Sequence, residues 1–268
     1  MRKLAIIVVA ILGVAAAAAY YQSPQNDTPV TSKNVIRIAL LPDENPDALR
    51  ERFQGLLDYL SNTTGYRFEL LIPASYQASI DLFREQQVDL ALLGGLTFLK
   101  AQNGYAATPL VFRDVDMHFT SWFIVHGNSP FKSLPELQGK TLSFGSELST
   151  SGHLMPRHFM LTEHQITPET FFSHIQYSGA HDTTAYNVRD GKVDIGVANA
   201  EILQQMLGDG RLAPNDIRLL WETPPYPDYT WATRSQLDEN IRSKLRDAFL
   251  AIDTDDPEHQ VNFGKPRC

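Results

Sequence analysis

Two short segments of this 268-residue chain share one pattern. Gln86-Gln87-Val88-Asp89-Leu90-Ala91-Leu92 and Gly191-Lys192-Val193-Asp194-Ile195-Gly196-Val197 each pass from a helix straight into a strand that starts Val-Asp and ends in small residues. Runs as apolar as Val88 to Leu93 and Val193 to Ala198 suit parallel strands covered by helices on both faces. Tight helix-to-strand connections create such patterns on their own. Two readings therefore stand: a common local solution, or two lobes built on one plan.

The rest of the chain alternates strand and helix around these segments. Val35 to Leu41 is β-rich and ends in turn residues. Asn45-Pro46 predicts a helix start, an N-cap followed by proline at the first position. Leu49, Phe53, Leu56, Leu57 and Leu60 share one face, and Gly65 stops the helix. Tyr66 to Ile72 reads as a strand, Ser75 caps a helix through Gln87, and Gly94-Gly95 leads into a short helix through Ala101. This βαβαβ order predicts an α/β domain with a parallel sheet. The order then recurs: strand Thr141 to Phe144, helix Thr150 to Gln165, strand His174 to Tyr177, helix His181 to Asp190, strand Val193 to Ala198. Two extended segments, Met117 to His126 and Trp221 to Arg234, cross between the halves and predict a hinge. A cleft between such lobes faces the carboxyl ends of the strands, where open sheets bind ligands by closing on them.

The segment most suited to chemistry is Gly145-Ser146-Glu147-Leu148-Ser149-Thr150-Ser151-Gly152, between a strand and a helix. Three consecutive hydroxyls at a helix N-terminus, with its free N–H groups and positive dipole end, make an anion site; the plainer reading is an N-cap at Ser149. Ser178-Gly179-Ala180-His181-Asp182-Thr183-Thr184 is a second strand-to-helix turn, where His181 can donate to an oxyanion. Gly94-Gly95-Leu96-Thr97 is a third.

Composition limits the alternatives. The chain has 23 basic and 31 acidic residues and a net charge of −8, which argues against nucleic acid. Its single cysteine, Cys268, excludes a disulfide framework and any cysteine-based zinc site. Five of the eight histidines fall between His153 and His181, at spacings that put no two on one helical face, so neither a metal nor another cofactor is expected. No Gly-x-Ser-x-Gly elbow, Walker loop or His-Glu-x-x-His motif occurs. Met1-Arg2-Lys3, the uncharged Leu4 to Tyr21 and the small residues Ala17-Ala18-Ala19 read as a signal peptide or, left uncleaved, an anchor. Either way the body is exported. Removing residues 1–22 takes two basic residues and no acids, so −8 becomes −10.

Gly139 to Gly145, followed by Ser149-Thr150-Ser151-Gly152 and Met155-Pro156, resembles the phosphate-, phosphite- and phosphonate-binding periplasmic proteins of ABC importers. Ser178 to Asp182 and the run Trp221 to Trp231 look like other signatures of that family. The latter, with Leu93-Gly94-Gly95-Leu96, looks closest to a branch labelled selenate-binding. The resemblance covers most of Val35 to Leu250. It implies an α/β, two-lobed type II periplasmic-binding-protein fold with a two-segment hinge and an interlobe cleft. The expected division is 1–22 signal peptide or anchor, 23–34 linker, 35–117 plus 229–268 lobe one, and 118–228 lobe two.

By the same resemblance Ser149, Thr150 and Ser151 grip the oxyanion, His181 assists, and Tyr76 closes from lobe one. Glu201 falls where aminophosphonate binders carry a carboxylate. Asp228 lies one position from a second such acid, which aligns better with Tyr229. Leu93 stands where many relatives carry an aromatic. These departures leave a phosphonate, phosphite, phosphate or selenate-like ligand open. Relatives also continue beyond the helix at Ser235–Ile252, where this chain has a polar tail, so lobe one is expected to be shortened. The favoured reading is a monomeric, non-enzymatic periplasmic binding protein that delivers an oxyanion to an ABC permease. The others are a membrane-anchored sensor or accessory module of the same fold, and an enzyme using His181 as a base.

Overall fold

Asn45 and Pro46 begin the first long helix in the way their chemistry demands. In the computed structural model, which describes residues 34–253, the Asn45 side chain accepts from the N–H groups of Asp47 and Ala48, and Pro46 occupies the first turn of the helix Pro46–Thr64. Gly65 ends it at φ 74°, a left-handed conformation that costs glycine little. Leu49, Phe53, Leu57 and Leu60 are buried along its inner face, with Leu56 half-buried beside them. The expected leader or anchor at 1–22, nearly all of the linker and the tail from 254 to Cys268 lie outside the described residues.

Ten strands form two five-stranded sheets. The strands are β1 (Val35–Leu40), β2 (Arg67–Leu71), β3 (Leu90–Leu93), β4 (Ala107–Val111), β5 (Ser121–His126), β6 (Thr141–Phe144), β7 (His174–Tyr177), β8 (Ile195–Asn199), β9 (Ile217–Glu222) and β10 (Thr230–Arg234). The first sheet has the order β2-β1-β3-β10-β4 and the second β7-β6-β8-β5-β9. These are the two lobes of the expected fold. Each sheet is mixed rather than parallel as predicted: β10 runs antiparallel to β3 and β4, and β5 antiparallel to β8 and β9. In both cases the reversed strand is the one arriving from the other sheet. It comes in from the hinge end without a crossover helix, so it cannot run parallel to its neighbours.

Several element bounds shift. The helix capped by Ser75 ends at Arg84, and the one after β3 continues to Tyr105. The strands β4 and β9, which the sequence reading did not identify, complete the sheet edges.

The repeated Val-Asp segments occupy equivalent places. Asp89 donates its N–H to the Arg37 carbonyl and accepts the Arg37 N–H on Oδ2 at 2.9 Å. Asp194 donates to the Thr141 carbonyl and likewise accepts the Thr141 N–H on Oδ2 at 2.9 Å. One pairing sews β3 to β1, the other β8 to β6. The echo is therefore a structural repeat, and the two-lobe reading is the correct one.

Alternation along β5 sends Phe123 and Val125 into one core of the second lobe and Ile124 into the other. The segments that pass between the sheets run side by side. Phe119 and Tyr226 exchange two backbone hydrogen bonds of 2.9 Å, Asp228 donates to the Asp116 carbonyl, and Thr223 donates to that of Ser121.

Candidate functional site

β6 ends at Phe144, and the chain turns through Gly145 to Leu148 before reaching Ser149. The Ser149 hydroxyl accepts the Gly152 N–H at 2.8 Å, so the cap reading is correct as far as it goes. The first turn is unusually wide. Leu154 donates to the carbonyl of Ser149, five residues back, before the regular helix Met155–His164 begins. Widened turns of this kind are frequent at functional sites. Gly152 must be glycine here. A Cβ on it would stand 2.9 Å from Ser149 Oγ and 3.0 Å from His181 Cε1.

His181 opens the helix His181–Arg189 after β7 and is wholly buried. Its Nδ1 accepts the Asn199 N–H at 3.2 Å, which leaves the proton of a neutral ring on Nε2. Burial pushes its pKa down to about 4, despite Asp182 beside it, so the ring is neutral at physiological pH. Asp182 accepts the Asn45 N–H across the cleft at 2.8 Å, and the His181 N–H reaches the Asp43 carbonyl at 2.8 Å.

The first lobe faces this wall with three loops at the carboxyl ends of its strands. Tyr76, in the first turn of the helix Tyr76–Arg84, is 2% exposed, and its hydroxyl faces Ser149 without forming a hydrogen bond of good geometry. Burial first, and then Asp43, Asp228 and Asp182, hold that phenol well above its usual range, so it stays a donor. The Gly94-Gly95 turn comes close: Leu96 donates to Thr150 Oγ1 at 3.0 Å, and Gly95 to Asp228 Oδ1 at 3.0 Å. Burial raises the Asp228 carboxyl to about 6, against the lowering pull of Gly95, Thr150 and Ser151.

Sequence reasoning missed Asp43, just after β1. Its Oδ2 accepts from the Tyr229 hydroxyl at 2.8 Å, and that hydroxyl accepts from Asn199 Nδ2 at 3.2 Å. Asp43 had a positional signal, because it occupies the same strand-to-helix place in lobe one as the serine loop does in lobe two. Leu41-Pro42-Asp43-Glu44-Asn45 instead reads as a turn and a cap.

The structure thus brings Tyr76, Ser149, Thr150, Ser151, His181 and Asp228 to one buried place between the lobes. Five polar atoms there form no hydrogen bond of good geometry within the described residues: Asp43 Oδ1, Tyr76 Oη, Ser151 Oγ, His181 Nε2 and Asp228 Oδ2. Glu201 sits half-buried in the first turn of the helix Ala200–Gly208, two residues after the buried cap Asn199. Among the described residues no group of three or more His, Cys, Asp or Glu side chains could hold a metal ion.

The family model described as "ABC transporter, phosphonate, periplasmic substrate-binding protein" matches residues 38–263. The "Probable ABC transporter phosphite binding protein PhnD1" of Prochlorococcus marinus (strain MIT 9301) is 30% identical over 87% of this chain and 82% of its own length. The "Phosphate-import protein PhnD" of Mycolicibacterium smegmatis is 25% identical over 92% of this chain and 81% of its own. The structure of Prochlorococcus marinus PhnD1 in complex with methylphosphonate superposes with a TM-score of 0.79 at 28% identity, covering 85% of this chain and 88% of that one.

Proposed function

The chain belongs to the phosphonate-binding family of periplasmic ABC-transporter substrate-binding proteins, a transport family rather than a family of enzymes, and on that premise we propose how it holds its ligand. A phosphonate- or phosphite-like tetrahedral oxyanion sits between the lobes, gripped by Ser149, Thr150, Ser151, His181 and Tyr76. The exported monomer then hands it to an ABC permease. The observation that carries this reading is the set of buried, unpartnered polar atoms gathered from both lobes, since burial without a partner is costly unless a ligand supplies one.

The donor geometry follows from the local folding. Ser149 Oγ and Thr150 Oγ1 each already accept a backbone N–H, so each hydroxyl hydrogen is left to point elsewhere. Ser151 Oγ and His181 Nε2 add two further donors, and the helix N-terminus adds its dipole. No lysine or arginine is needed for this grip.

A thermal-shift panel of phosphate, phosphite, methylphosphonate, 2-aminoethylphosphonate, sulfate and selenate tests the reading. A ligand at a hundred times its Kd stabilises by about 2.7 kcal/mol. The double variant Ser149→Ala, Ser151→Ala loses that shift while its ligand-free stability falls by only about 1 kcal/mol, the worth of the cap. No response to any anion overturns the reading. Among the described residues no helix is long and apolar enough to cross a membrane. Mass spectrometry of the exported N-terminus distinguishes a cleaved leader from a retained Leu4–Tyr21 anchor.

A further inference from the structure

The widened turn leaves one carbonyl of the serine loop without a backbone donor. Leu154 donates to Ser149 and Met155 to Thr150, each five residues back, so the next N–H in that series would serve Ser151. The next residue is Pro156, which has no N–H. Ser121, at the head of β5, fills the gap: its wholly buried hydroxyl donates to the Ser151 carbonyl at 2.6 Å. The Tyr226 hydroxyl is the other neighbour of Ser121 Oγ. Ser121 has one hydroxyl hydrogen and a carbonyl can only accept, so both contacts are made only if Tyr226 donates to Ser121.

The direction continues through the peptide. The unit that carries the Ser151 carbonyl carries the Gly152 N–H at its other end, and that N–H donates to Ser149 Oγ at 2.8 Å. The hydrogens therefore point one way, from Tyr226 through Ser121 and the Ser151–Gly152 peptide to Ser149, whose own hydrogen faces the space beside Tyr76. Bonds in such a chain polarise one another, the more so in a buried place. Its origin lies in the two segments that cross between the lobes. Tyr226 is clamped there by two backbone bonds to Phe119 and by its ring against Phe119 and Phe159. The Ser121 N–H is held by Thr223 Oγ1 at 3.0 Å. Resting on the proposed function, we infer that Tyr226 and Ser121 are positioning residues, which act through Ser149 by fixing and strengthening its hydroxyl as a donor to the bound oxyanion. The Ser151 hydroxyl, beside both the Tyr226 phenol and the Asp228 carboxyl, is outside this chain of bonds.

Calorimetric titration of the full exported chain with methylphosphonate, phosphite and phosphate, together with its amide NMR spectrum, tests this. Tyr226→Phe removes one oxygen and keeps the ring contacts. It weakens the tightest-binding of the three anions about threefold, less than the loss of a direct hydrogen bond because the effect is passed on. In a Ser149→Ala background the same change leaves affinity unaltered, because the chain ends at Ser149. The Gly152 amide resonance moves upfield in Tyr226→Phe and further in Ser121→Ala. Ser121→Cys, a weaker donor of similar size, falls between Ser121→Ala and the unaltered chain. Equal losses of affinity in both backgrounds, or no loss in either, overturn the inference, since Tyr226 would then act on the fold or not at all. A Gly152 resonance that stays in place also overturns it. These failures leave the oxyanion site standing, whereas binding of none of the three anions removes the proposed function and this inference with it. The Gly152 resonance decides if Ser149→Ala binds too weakly to titrate, and Ser121→Cys replaces Tyr226→Phe if the latter does not fold.

Discussion

His181 and Asp228 titrate in opposite directions inside the same buried space. Burial lowers the folded pKa of His181 from 6.5 to about 4, so the unfolded chain binds a proton there first, and stability falls as pH drops from 6.5 towards 4. Burial raises Asp228 from 3.8 to about 6, so the folded chain binds the proton first, and stability rises as pH drops from 6 towards 3.8. Each effect is on the order of 3 kcal/mol. Between pH 6 and 4 they nearly cancel. His181→Gln should therefore gain stability relative to the unaltered protein as pH falls through this window, and Asp228→Asn should lose it. Urea melts at both ends of the window read the difference. A parallel response of the two variants would mean that one of these groups is not buried as described.

The two Val-Asp connections do the same work with different reinforcement. Asp194 accepts the Thr141 N–H and hydroxyl at 2.9 and 2.8 Å. Asp89 accepts the Arg37 N–H and also pairs with the guanidinium groups of Arg37 at 3.1 Å and Arg234 at 2.8 Å, which ties β1, β3 and β10 together. Asp194→Ala removes two hydrogen bonds and should cost about 1–2 kcal/mol. Asp89→Ala strands two half-covered arginines on the inner strands β1 and β10 and should cost about 3 kcal/mol. Chemical denaturation ranks them. An equal cost would mean that the arginine pairs add nothing to the shared backbone clamp.

Ionic contacts beside Asp43 also join the two lobes. Glu44, whose side chain is 1% exposed, is held at 2.6 Å by Arg52 from its own lobe and at 2.6 Å by Arg211 from the other. Arg52 also reaches Gln205 of the second lobe at 2.8 Å. The Arg211–Glu44 and Arg52–Gln205 bonds exist only with the lobes together, so they weight the closed form, and any ligand that needs closure inherits that weight. Arg211→Ala should weaken ligand affinity about fivefold, on the order of 1 kcal/mol, without contacting the ligand. Small-angle scattering should record a larger ligand-free radius of gyration. Unchanged affinity would mean that Glu44 is satisfied by Arg52 alone.

Features written in contiguous residues were legible without coordinates. Asn45-Pro46 and Gly65 bound a helix because capping and left-handed backbone are local chemistry. Ser149-Thr150-Ser151 read as a hydroxyl-rich helix start because those residues are neighbours along the chain. The acidic net charge argued against nucleic acid, yet it carried no information about the cleft, where hydroxyls, an imidazole and a helix N-terminus gather. The reversed strands β5 and β10 were not legible, because strand direction depends on which lobe a segment comes from. Nor was the role of Asp43: its partners Tyr229 and His181, and the Asn199 that donates to Tyr229, lie more than a hundred residues away along the chain. Local sequence set the donors through short-range capping and turn chemistry. Which acids face them was decided only when folding brought distant strand ends into one buried space.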